Sequence, residues 1–393
     1  MNKLVKMSLV AAVAVAGLNV SASAGSLEEA IKGVDISGSI AYRYDDRTTT
    51  ATGVVDPVDG RKANRYKLVT KVKVPVNDTV TANLTFAAGT MGLPHGGTER
   101  ADANIVTTNL IHANFTFKLG DATVTAGRQG IATPWTTAGN YIDGTQFGSG
   151  ITASIPVGPV TLAGAYFLNN NIAGISDNDI AVIAALGSFG MVDAQLWYAN
   201  IGDTSSAEND GADALTLVLG GTVGPVKAEF RHSELKGDEA GSKKQKLDSL
   251  QASAKFGAFG VSATYAKGGK DGEEVSLDAH ANNANYIYSG WTTSLGGGDK
   301  YDADTYGIGV NMDIMSGLNI SLNYSEMNWN TDPVATAANE VNRDETKIQL
   351  SYKMSSNFGG YVRLAQSNTD YSVASGEADT EQTLGRLQIK YSF

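Results

Sequence analysis

The chain contains no cysteine. Disulfides, thiolate nucleophiles and Cys-ligated metals are thereby excluded, and stability must come from burial and hydrogen bonding. Histidine is scarce: His95, His112, His232 and His280 are the only four, and none sits in a catalytic motif. No Gly-x-Ser-x-Gly elbow, P-loop, zinc spacing or EF-hand loop accompanies them, so no enzyme is predicted. Basic residues are in deficit, 30 against 41 acidic ones, for a net charge of −11. That balance argues against nucleic acid as a partner. Long apolar runs are also missing beyond the N-terminus. The most apolar later stretch, Ile180 to Leu186, is strand-sized and runs into Gly187. No spanning helix is predicted there, since one needs ~20 apolar residues.

The single exception is the start of the chain. Lys3 and Lys6 precede an apolar run from Leu9 to Val20, and Ala22-Ser23-Ala24 follows it. A basic start, a short apolar core and a small-residue cleavage site are the three parts of a secretory signal peptide. Residues 1–24 are predicted to be removed on export, leaving one domain over 25–393.

What is present is period-2 alternation. At the C-terminus Phe393, Tyr391, Ile389, Leu387 and Gly385 alternate with Ser392, Lys390, Gln388 and Arg386. Val34, Ile36, Ile40, Tyr42 and Tyr44 alternate with Asp35, Ser37, Ser39 and Arg43, and Tyr66, Leu68, Val72, Val74 and Val76 with Lys67, Lys71 and Lys73. Such segments are strands with one apolar and one polar face. Tight-turn residues recur at eight places, from Asn77-Asp78 to Ser355-Ser356-Asn357, with long polar segments between them. Gly, Asn, Asp and Ser suit such turns because they accept left-handed backbone or bond it locally. The glycine count of 45, against 8 prolines, fits this layout.

Eight turns and nine longer loops predict about eighteen strands of about ten residues. That length crosses a bilayer when tilted, and an even count is the rule for bacterial outer-membrane barrels. Lysine on a soluble core face would be costly, but facing water inside a barrel it is not. The predicted fold is therefore all-β: a closed transmembrane antiparallel barrel, with short periplasmic turns and long extracellular loops.

The chain resembles the Campylobacter-type major outer membrane porin family. The resemblance is carried by Leu27 to Gly38 and Ala41 to Asp45, by Thr125 to Gln129 with Pro134-Trp135 and Ile142 to Gly144, and by the terminal Lys390 to Phe393. It implies a homotrimeric general diffusion porin in the outer membrane, among lipid and lipopolysaccharide, passing small hydrophilic solutes and ions with weak cation preference. It also implies that the third long loop, residues 131–145, folds into the lumen and constricts the pore. The loop carries Trp135, Asn140, Tyr141 and Asp143. No cofactor is required; a calcium ion near the constriction is an expectation of the resemblance, with Asp143 as the candidate ligand.

The alternation adds a second set of pore residues. Arg43, Lys67, Lys71, Arg363 and Arg386 all fall on polar faces. Barrel closure sets the last strand beside the first, so these side chains form a basic ladder on one wall, with Arg128 adding to it from the fifth strand. Acidic residues concentrate in the loops and would gather cations at the mouth by field focusing. The alternatives are a substrate-specific channel, whose mark would be aromatic residues along the pore, and a surface adhesin or structural barrel using its long loops.

Overall fold

The computed structural model describes residues 33–52, 59–89, 108–139, 145–202, 211–278, 290–298, 300–333, 339–372 and 375–393. The predicted signal peptide lies outside the described residues. The chain forms β1 (Asp35–Ala51), β2 (Asp59–Pro75), β3 (Val80–Gly89), β4 (Thr108–Leu119), β5 (Ala122–Gly130) and β6 (Phe147–Val157). These are followed by β7 (Val160–Asn170), β8 (Ile180–Phe189), β9 (Val192–Ile201), β10 (Ala212–Val223), β11 (Val226–Gly237) and β12 (Gln245–Phe256). The last six are β13 (Phe259–Gly268), β14 (Tyr301–Met315), β15 (Leu318–Asn330), β16 (Glu340–Lys353), β17 (Phe358–Tyr371) and β18 (Thr380–Ser392).

Every strand pairs antiparallel with its neighbours in sequence, and β1 pairs with β18, so the sheet of 18 strands closes into a barrel. Closure runs from Ser39 opposite Ser392 to Ala51 opposite Thr380. Below that ladder the Gly38 and Phe393 backbones exchange hydrogen bonds of 2.9 and 3.0 Å. A closed ladder leaves no unpaired strand edge, which is what a sheet in hydrocarbon requires.

The short turns follow from their residues. Asn77 Oδ1 accepts the backbone N–H of Thr79 and of Val80 at 2.9 Å each, closing the β2–β3 turn by a side chain. Gly120 (φ +62°) and Gly158 (φ +59°) adopt left-handed backbone between β4 and β5 and between β6 and β7, where a Cβ would be strained.

The outer face is apolar. Ile40, Ile183 and Ile308 are 52%, 64% and 62% exposed, and Leu68, Tyr198 and Val310 beside them are exposed too. A water-soluble protein does not carry a continuous apolar belt of this extent, whereas a lipid-facing barrel does. The belt ends toward the long loops in tyrosines that anchor to polar groups. Tyr42 donates to Asn64 (2.6 Å), Tyr198 to Asp213 (2.6 Å) and Tyr265 to Asp304 (2.8 Å). An aromatic body in hydrocarbon with a hydroxyl on a polar partner is the chemistry of an interfacial girdle. Among the described residues no helix is long and apolar enough to cross a membrane; the crossing is by strands.

β1 and β2 each run 17 residues, beyond the ten or so that alternation marks. Their outer parts, such as Asp45 to Thr50, are polar on both faces. Pairing continues there past the lipid into water, where nothing forces alternation.

Candidate functional site

Two loops fold inward. The third long loop, between β5 and β6, returns through backbone bonds from Ile131 to Gln146 and from Gln146 to Thr137, of 3.0 and 2.7 Å. The Thr136 hydroxyl donates to the Ile131 carbonyl at 2.6 Å, tightening the turn. Trp135 and Ile131 are buried against Phe167, Ile180, Val182, Ala199, Ile201 and Ala214. These belong to the inner faces of β7 to β10, since Ile183, Leu196 and Tyr198 on the alternate positions are exposed. An apolar patch inside a wet lumen is thus covered by an apolar loop. Truncating a buried Trp of this kind to Ala costs about 3–5 kcal/mol.

The seventh long loop, between β13 and β14, is the larger inward element. It turns in at Gly269–Gly272, an isolated bridge in which Gly272 has φ +119° and faces the Gln245 side chain. Val275 and Leu295 are buried with Leu247, Ala266, Ala303, Met327, Trp329 and Val341 on the inner faces of β12 to β16. Glu273 is fully buried; its carboxylate accepts the backbone N–H of Gly296 and of Gly298 and lies 3.5 Å from Lys300 Nζ. Burial pushes the Glu273 carboxyl above the usual carboxylate range, against the pull of Lys300 and those N–H groups. The two loops touch: the Leu277 N–H donates to the Trp135 carbonyl (2.8 Å), and the Thr137 N–H to Asp278 Oδ2 (2.7 Å).

Across the lumen stands a wall of guanidinium groups. β18 and β9 are nine staves apart in the ring of eighteen, so the wall of β16 to β2 faces the patch that holds the third loop. In register, Asp45, Arg386, Arg363 and Gln349 share one rung across β1, β18, β17 and β16. The next rung carries Arg65, Arg43, Gln388 and Tyr361. Arg43 is 3% exposed and donates to Gln388 Oε1 through Nε (2.8 Å) and Nη2 (2.6 Å). Arg386 donates to Asp45 Oδ1 at 2.5 Å, and Arg65 lies 3.9 Å from Asp45 Oδ2. Arg363 donates to Gln349 at 2.7 Å and stacks on Tyr361. Lys67 is buried one rung further toward the short-turn end, opposite Ala41, and Lys71 is half-buried opposite Ser37.

Of the residues singled out from sequence, Arg43, Lys67, Lys71, Arg363 and Arg386 stand on this wall. Arg128 does not join them: its Nε donates to the Leu110 carbonyl (3.0 Å) and its guanidinium lies 4.2 Å from the Phe147 ring centroid. Tyr141 and Asp143 lie outside the described residues, as does Asn140, so the calcium expectation attached to Asp143 rests on sequence. Among the described residues, no group of three or more His, Asp or Glu could hold a metal ion.

Several neighbours escaped the sequence reading. Arg65 shares the parity of Lys67 and Lys71 and was findable on that ground. Arg343 and Glu345 share parity on β16 in the same way. Trp291 carries a weaker signal, a lone tryptophan in a Gly- and Ser-rich loop, and only the fold brings it to the arginines.

Residues 2–179 match the model of the Campylobacter major outer membrane protein family. No curated protein matches the chain in sequence. Among solved structures, Acinetobacter baumannii OccAB3 superposes with a TM-score of 0.70 at 12% identity, over 91% of this chain and 99% of that one. Pseudomonas aeruginosa OccK9 (OpdG) superposes at 0.68 and 14% identity, over 93% and 100%. A BenF-like porin from Pseudomonas fluorescens Pf-5 superposes at 0.69 and 16% identity, over 92% and 99%. At these identities the likeness is one of fold. Taken with the closed barrel and its lipid-facing belt, the match over residues 2–179 supports an outer-membrane porin channel, similar over that stretch to the Campylobacter major outer membrane protein family.

Proposed function

We propose that this porin is a passive diffusion channel for small hydrophilic solutes and ions with weak cation preference, narrowest where the two inward loops approach the arginine wall. The observation that carries this reading is the placement of Arg43, Arg65, Arg363 and Arg386 on adjacent staves, one or two rungs apart. In it Lys67 and Lys71 continue the wall toward the short-turn end. The opposing role in the same reading falls to Asp143 and Tyr141, which lie outside the described residues, with Arg128 to one side. Opposed charges across a narrow aqueous gap create a transverse field that sets ion preference.

The preference is weak because opposing terms nearly balance. The chain is acidic overall, with a net charge of −11, and many of its carboxylates lie in loops at the mouth. The arginines are partly engaged by Asp45, Gln388 and Gln349. The assembled form in this reading is a homotrimer in outer-membrane lipid and lipopolysaccharide, with calcium near Asp143 as a further element. Chelator added to a bilayer recording tests the calcium, since its loss should move the reversal potential.

Neutralising the wall with Arg43→Gln and Arg386→Gln should leave the barrel folded and shift the reversal potential further toward cations. The shift should shrink at high salt, because the Debye length falls from roughly 10 Å at 0.1 M to roughly 3 Å at 1 M. A reversal potential unmoved at low salt removes these residues from the constriction. The second reading is a channel selective for aromatic or other carboxylates. It draws on the arginine wall and on a fold neighbour solved with vanillate, Pseudomonas aeruginosa OpdK, with a TM-score of 0.66. Saturation of current at millimolar vanillate would favour it, and linear dependence the diffusion channel.

A further inference from the structure

Residues 290–298 of the seventh loop lie against β15, β16 and β17 through a dense set of polar contacts. Glu345, on the inner face of β16, is 1% exposed. Its carboxylate accepts the Trp291 backbone N–H at 2.5 Å, the Thr292 N–H, and the Thr292 hydroxyl at 2.7 Å. The Thr292 hydroxyl is also 2.9 Å from Ser367 Oγ on β17, and the Thr293 hydroxyl 2.7 Å from Ser325 Oγ on β15. Arg343 donates to the Thr292 carbonyl at 3.3 Å. A charged side chain buried this completely is held only because its acceptors are filled. Here two of the donors are backbone groups of a loop that would otherwise stand in water.

The product of this tether is the position of one ring. The Trp291 indole lies 4.7 Å from the Arg386 guanidinium and 5.2 Å from that of Arg363, within cation–π range of both. Trp291 itself is half-buried, so one side still meets the lumen. An indole over two guanidiniums does two things. It occupies lumen beside the wall, and it keeps water and mobile anions off the faces of two fixed positive charges.

We propose that Trp291 is a selectivity-determining residue of the pore, held by Glu345 as a cover over Arg363 and Arg386. With the cover in place the wall presents less positive charge than its arginine count suggests, which is how a channel with so many inward cations keeps a weak cation preference. Glu345 acts as a positioning residue, through its grip on residues 291 and 292. This rests on the reading of the arginine wall as the constriction.

The test is single-channel recording of purified protein in planar bilayers at low salt. Trp291→Ala changes no charge, yet it should raise conductance. It should also raise the anion-to-cation permeability ratio by roughly two- to fivefold, the scale of one exposed cation–π contact. Glu345→Gln should do the same. The double variant should show no more than the larger single effect, since a cover is lost once. Additive shifts would mean that Glu345 acts as a pore charge and not as a tether, and would overturn its role.

Because the chain has no cysteine, Thr292→Cys with Ser367→Cys gives a clean lock in case the tryptophan variant lets the loop detach. With the lock oxidised, Trp291→Ala should still shift the ratio; no shift in a locked, folded barrel overturns the proposal. The Arg43 and Arg386 variants separate the two levels. If they move the reversal potential and Trp291→Ala does not, the cover is wrong and the constriction stands. If neither does, the constriction itself is misplaced.

Discussion

At the scale of single residues, this barrel uses buried carboxylates to hold loops. Glu345 grips the middle of the seventh loop and Glu273 closes its base, each by accepting backbone N–H groups. Glu273 lies outside the membrane-crossing strands, and its burial raises its pKa in the folded state. A carboxyl whose folded pKa exceeds its unfolded value favours the folded form at pH below the ordinary glutamate range, and that contribution is lost as pH rises through the raised value. Docking of the loop base should therefore be tighter in acid than in alkali. Glu273→Gln, fixed in a neutral form, should flatten this dependence. Limited proteolysis within the seventh loop across pH, normalised to cleavage of an unfolded substrate, reads the difference. An unchanged pH profile in the Gln variant assigns the effect to another group.

At the scale of elements, the closing ladder between β1 and β18 is the junction on which the barrel depends. Tyr391 and Phe393 rings stack at 6.3 Å, and the Phe393 backbone completes the ladder through Gly38. Gly38 has no room for a side chain: a Cβ there would lie 2.2 Å from the Val69 carbonyl oxygen and 2.7 Å from the Phe393 ring. Removing Phe393 should leave export intact and lower the yield of folded barrel in the outer membrane. Gly38→Val should do the same, with the whole C-terminus in place. Wild-type yield from both variants, measured on isolated outer membranes, would show that this rung is dispensable.

At the scale of the whole molecule, stability comes from a closed hydrogen-bonded cylinder with no disulfide and with an interior filled in part by its own loops. Every stave is paired on both sides, so opening any one exposes backbone to lipid at a cost of several kcal/mol for each unsatisfied group. The folded protein should resist detergent at room temperature, run faster on gels unheated than boiled, and give a strand-dominated circular-dichroism spectrum. A helix-dominated spectrum would falsify the fold.

Much of this was written locally. Alternation along Ile40 to Tyr44, Tyr66 to Leu68 and Leu387 to Phe393 determined which side chains meet lipid, because a pleated strand has only two faces and hydrocarbon admits no charge. Turn residues such as Asn77 and Gly120 fixed where the chain reverses, because they satisfy or relax the backbone on the spot. From these the strand count and closure followed, and so did the inward side of Arg43, Arg363 and Arg386. Tertiary structure decided what local rules cannot reach. The outer halves of β1 and β2 are polar on both faces, so their length depends on a paired neighbour and not on lipid. The seventh loop has no period to read: its path into the lumen is set by its own buried Glu273 and by an apolar patch and the buried Glu345 on strands distant in sequence. Trp291 reaches Arg386 from ninety-five positions away, and only the inward path of that loop brings it over β17 and β18.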